Sequence, residues 1–124
     1  MSDRESAAGA SPASQQRKFN MEIVAFRMQL KPGNADEYRR RHDALWPDLA
    51  QALRAAGIHD YSIFLDEQTL HLFAVMKLRP GHRVADLPLQ PVMWRWWDYM
   101  ADIMLTEPDN SPRQWPLEPM FHFD

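Results

Sequence analysis

The chain has 124 residues, is 45% hydrophobic and 11% aromatic, carries a net charge of −3 and contains no cysteine. That length and composition fit one globular domain, and dispersed charge of both signs argues against a nucleic-acid or membrane-surface footprint. Disulfides, thiolate catalysis and cysteine-bound metals are excluded, and no apolar run approaches the roughly 20 residues of a membrane span.

Residues 1–19 are rich in Ser, Ala and Gln and include Asp3 and Glu5. This is the composition of a disordered tail, not of a signal or transit peptide, so the expected domain is 20–124 and the expected location cytoplasmic. Met21–Leu30 reads as a strand, with Val24, Phe26, Met28 and Leu30 on one face and Ile23 and Ala25 on the other. Pro32-Gly33 marks a turn. Asn34 and Glu37 have capping-box spacing for a helix over about 35–42. Pro47 interrupts this helix and restarts it, and the second piece runs to Ala56 before Gly57.

Ile58–Leu65 and Leu70–Leu78 form a hairpin around Asp66-Glu67-Gln68-Thr69. Leu70, Leu72, Ala74, Met76 and Leu78 face one way, Phe73 and Val75 the other. Pro80, Gly81, Pro88 and Pro91 imply an irregular connection, followed by a helix over about 92–104. Pro108, Pro112, Pro116 and Pro119 make the end extended, with a short strand at Met120–Phe123. The order β-α-β-β-α-β points to an α+β, ferredoxin-like antiparallel sheet with helices on one side. Two helices cover one sheet face only. The apolar residues on the other face predict a homodimer, and residues 105–124 are long enough to reach the partner.

Three of the five tryptophans, Trp94, Trp96 and Trp97, lie within four residues. Helical rotation of 100° per residue prevents all three from sharing one core stripe. Trp94 reads as a packing residue. The Trp96-Trp97 pair fits either packing or the wall of a sugar pocket, since an indole offers an apolar face and one N–H donor. Tyr38 and His42, four residues apart, share one helix face. They suit general acid–base chemistry, or a core tyrosine with a histidine at its rim. Arg39, Arg40 and Arg41 fit an anion site or a solvated face. Tyr61 shares a strand face with Ile63 and Leu65. His59, His71, His82 and His122 have no metal-ligand spacing, so no metal is expected.

Tyr38-Arg39-Arg40-Arg41-His42, Leu45-Trp46-Pro47-Asp48-Leu49, Tyr61-Ser62-Ile63-Phe64-Leu65-Asp66, Trp96-Trp97-Asp98-Tyr99-Met100 and Pro108-Asp109-Asn110-Ser111-Pro112 together resemble, in order and spacing, the signature of the L-rhamnose mutarotase family. The resemblance covers about residues 21–124; the N-terminal extension departs from it. It implies a dimeric α+β barrel isomerase that interconverts the α and β anomers of L-rhamnose without a cofactor. His42 would be the proton donor and Tyr38, Tyr61, Trp96 and Trp97 the sugar contacts; the chemistry of ring opening, which needs a hydroxyl partner beside the histidine, makes Tyr38 that partner. Two other readings use the same residue types. A small α+β barrel monooxygenase would consume oxygen, and a sugar-binding module would bind without speeding anomer exchange.

Overall fold

The computed structural model describes residues 21–124; the predicted tail at 1–19 lies outside the described residues. In chain order the elements are β1 (Glu22–Gln29), α1 (Ala35–Asp43), α2 (Pro47–Ala55), β2 (Ile58–Asp66), β3 (His71–Leu78), a 3-10 segment (Val84–Leu89), α3 (Pro91–Met100) and β4 (Trp115–Leu117). They form an antiparallel sheet in the order β2-β3-β1-β4, the ferredoxin-like α+β arrangement.

Strand alternation decides what each sheet face becomes. Met28, Leu72, Ala74 and Met76 point to the helices and join Tyr38, Leu49, Met93, Trp96 and Met100 in the core. The opposite face carries Ile23, Ala25, Arg27, Phe73, Val75 and Leu117, brought side by side by the register Ala25↔Val75, Arg27↔Phe73 and Ala25↔Leu117. No element of the described chain covers it.

Pro47 starts α2 at a position where no amide donor is needed, behind an extended Trp46. Gly57 follows with φ +95°, and a Cβ there would meet His82 Cβ at 2.9 Å, so turn geometry and space both require glycine.

Four local expectations need correction. The capping box does not form: Asn34 donates from its amide to the carbonyls of Lys31 and Pro32, and Glu37 is taken by Arg40 and Arg41. The final helix stops at Met100, not near 104. The backbone beyond it is captured by the end of β1, through Lys31 N–H to the Ile103 carbonyl at 2.9 Å and Leu105 N–H to the Gln29 carbonyl at 3.0 Å. The last strand is Trp115–Leu117, not Met120–Phe123. It pairs with the free edge of β1, where Arg27 stacks on Trp115 at 4.2 Å and Pro116 needs no amide partner. Met120, Phe121 and Phe123 lie exposed beyond it. Finally, Trp94 does not pack in the core of the described chain. The inward stripe of α3 is Met93, Trp96 and Met100, which leaves Trp94 51% exposed with its indole N–H on the Pro88 carbonyl.

Candidate active site

Tyr38, His42, Tyr61, Trp96 and Trp97 line one cleft of about 840 Å³ between the helices and the sheet. Its apolar floor includes Met28, Leu72 and Met76, and its polar border includes Asp36, Arg39, Asp43 and Gln114.

The His42 ring packs at 4.3 Å on Tyr38, one turn earlier on α1, and meets the Trp96 indole edge-on at 5.3 Å. Its Nδ1 lies 2.9 Å from the Tyr38 carbonyl. A carbonyl can only accept, so Nδ1 carries the hydrogen and Nε2 is the free lone pair in the neutral ring. Burial lowers the His42 pKa below its ordinary value, against smaller opposing contributions from the Tyr38 carbonyl and Asp43. At neutral pH the ring is therefore a base with a fixed tautomer.

The two phenols stay protonated. Burial raises the Tyr38 pKa, with a further contribution from Tyr61, and burial around the Tyr61 hydroxyl pushes that group up to about 12 even though the residue as a whole is 38% exposed. A β-bulge brings Tyr61 to the cleft. Between His59 and Ser62 two residues, Asp60 and Tyr61, oppose one, and Asp60 takes φ +49°. Tyr61, Ile63 and Leu65 share a face by ordinary alternation, and the extra residue puts that face on the same helix side as Ile58.

Trp96 is 7% exposed and Trp97 half-buried. Trp96 also packs edge-on against Trp46 at 5.1 Å. Sequence reasoning gave Trp46 no role; its position before Pro47, at the helix break, was the available signal. The arginine run splits three ways: Arg40 pairs with Glu37, Arg39 borders the cleft, and Arg41 is buried against Glu37, Asp102 and the Tyr99 carbonyl. Neither the anion site nor the wholly solvated face describes Arg41. Of the scattered histidines, His71 accepts from Arg27 at 2.9 Å, His82 faces Glu22 at 3.5 Å, and His59 Nε2 is buried without a partner among the described residues. None of these three lines the cleft.

A family model described as L-rhamnose mutarotase matches residues 23–123. The L-rhamnose mutarotase of Burkholderia ambifaria is 65% identical over 104 residues, 84% of this chain and 100% of the relative. That of Acidiphilium cryptum is 60% identical over 102 residues, 82% of this chain and 98% of the relative. Among solved structures, the L-rhamnose mutarotase of Formosa agariphila superposes with a TM-score of 0.78 at 46% identity, covering 83% of this chain and 99% of the other. These matches span the elements that build the cleft, and by them the chain belongs to the L-rhamnose mutarotase family.

Proposed function

We propose that the cleft binds L-rhamnose and that His42 moves the proton as the sugar ring opens and closes, interconverting the α and β anomers. Opening breaks the bond between the anomeric carbon and the ring oxygen. The anomeric hydroxyl loses its proton, the ring oxygen gains one, and the product is the open-chain aldehyde. Closure on the other face of the aldehyde reverses these transfers. Neutral His42 begins as the base: Nε2 takes the anomeric proton, and the resulting imidazolium supplies a proton to the ring oxygen. This is the proton donor's role seen one step earlier.

Tyr38 and Tyr61, held protonated, act as hydrogen-bond donors to sugar oxygens, with Tyr38 also packing the imidazole in place. Trp96 and Trp97 provide the apolar wall. The methyl group that distinguishes this sugar from common hexoses is worth about 0.8 kcal/mol when buried there. A hydroxymethyl group would meet the same wall without a partner for its hydroxyl. One observation carries the reading: the Nδ1 bond to the Tyr38 carbonyl leaves Nε2 as the proton acceptor in a cleft bordered by two neutral phenols. NMR saturation transfer between the two anomer signals of L-rhamnose tests it. Wild-type protein should speed the exchange and His42→Ala should not. Equal rates in the two would remove His42 from the mechanism.

The assembly belongs to the same reading. The uncovered sheet face, with Ile23, Phe73, Val75 and Leu117, supports a homodimer formed by two such faces, a dimeric α+β barrel.

A further inference from the structure

We propose that Arg41 is a positioning residue for His42: it locks the last turn of α1 to the end of α3 and so sets where the imidazole stands against Trp96. The inference rests on the role given to His42 above.

Arg41 is the buried charged side chain of the described residues. Its Nε donates to Glu37 at 2.7 Å, one turn back on α1. Nη1 donates to the Tyr99 carbonyl at 2.6 Å and to Asp102 Oδ1 at 2.9 Å, and Nη2 to Asp102 Oδ2 at 3.3 Å. The guanidinium also lies 4.4 Å over the Tyr99 ring. Desolvating such a group is costly, and buried ion pairs give little net stability compared with apolar side chains of similar size. What the arrangement supplies is registration between two helix ends.

Both ends carry cleft residues. The Tyr99 carbonyl is one of those that a helix leaves unpaired in its last turn, and Trp96 sits one turn earlier. The Tyr99 ring in turn packs on Trp96 at 5.6 Å and on Trp46 at 5.5 Å. On the other side, His42 follows Arg41 directly, in the final turn before α1 ends at Asp43. A frayed last turn would separate Nδ1 from the Tyr38 carbonyl and release both ring orientation and tautomer. Glu37 and Asp102 together balance the guanidinium charges of Arg40 and Arg41, so Arg41 acts through geometry.

Arg41→Met, Arg41→Lys and Asp102→Asn test this in the full chain. The readouts are the exchange rate at saturating L-rhamnose, the half-saturating concentration, and the ¹⁵N shifts of the His42 ring. Arg41→Met should lower the saturated rate by about 10²-fold, the scale of a 1 Å misplacement, with a smaller change in half-saturation and a mixture of ring tautomers. Arg41→Lys should fail to restore the rate, because an ammonium lacks the planar fork. Asp102→Asn, at a side chain 67% exposed, should fold normally and show an intermediate loss, which keeps the test open if Arg41→Met does not fold. A wild-type saturated rate and a single Nδ1–H tautomer in Arg41→Lys and Asp102→Asn, with only the melting temperature reduced, would overturn the proposal. Absence of exchange in the wild type would instead sink the proposed function, and the tautomer readout would still decide the role of Arg41.

Discussion

The two faces of the sheet are made from alternate residues of the same strands, yet they end in opposite conditions. On the helix side, Leu72, Ala74 and Met76 are buried, and Leu72 and Met76 floor a cleft that the surrounding side chains do not fill. On the other side, Phe64, Phe73, Arg27 and Trp115 run across the four strands in one row, with Phe64 62% exposed. The contrast separates two uses of apolar surface. The covered face holds the fold together and shapes a small-molecule site; the open face sets Ile23, Phe64, Phe73, Val75 and Leu117 among polar residues such as Arg27, Ser62 and Lys77 and lacks a cover.

The largest expected effect lies on the covered side. His42→Ala should reduce catalysed anomer exchange by about 10² to 10⁴-fold, the usual contribution of one acid–base group, read by saturation transfer. Trp96→Ala, on the same side, should cost about 3–5 kcal/mol of stability, as large-to-small core changes do, read by urea denaturation. Adjacent residues of β3 then set the faces against each other. Met76→Asp places an unpaired charge in the core and should leave the chain largely unfolded by circular dichroism. Val75→Asp puts the same charge on the open face and should leave the fold intact while halving the mass seen by light scattering. A full dimer mass for folded Val75→Asp at micromolar concentration would show that the open face is not the subunit contact.

Most features set by neighbouring residues were legible in the sequence, the capping box at Asn34 excepted. The hairpin, the start of α2 at Pro47 and its stop at Gly57 each depend on nearby turn chemistry, and all appear in the structure within a residue or so. The grouping of Tyr38, His42, Tyr61, Trp96 and Trp97 followed from the family pattern, and the structure brings all five to one cleft. Features set by distant pairing were not legible. β4 lies at 115–117 because the edge of β1 is free at Ala25–Arg27, which no local propensity records. The bulge at Asp60-Tyr61 is visible only against β3. Arg41 could not be told from Arg39 and Arg40 without knowing that Asp102 and the Tyr99 carbonyl stand opposite it.

A smaller effect follows from the depressed His42 pKa. Because burial favours the neutral ring, the exchange rate should hold constant from neutral pH down past the ordinary histidine value of 6.5 and fall only below it. Stability moves in the same direction. Above about 6.5 both folded and unfolded His42 are neutral; below it the unfolded chain binds the proton first, so lowering the pH takes stability away until the folded form is protonated too. A rate-against-pH profile with its acid limb above the ordinary histidine value would contradict a buried, neutral His42.

Trp94→Ala should have the smallest effect, and it sharpens the contrast within α3. Trp94 and Trp96 are two residues apart, but the helix turns them about 200° from each other. The Trp94 ring reaches solvent, and its one polar contact is the indole N–H on the Pro88 carbonyl. Losing a half-exposed ring and one neutral hydrogen bond should cost about 1 kcal/mol, a fraction of the Trp96→Ala loss. Exchange should continue, because Trp94 does not line the cleft although Pro88 does. If Trp94→Ala abolished exchange with the fold intact, the sugar would have to reach past Pro88 onto the outer face of α3, and the aromatic wall would need to include the indole now placed outside it.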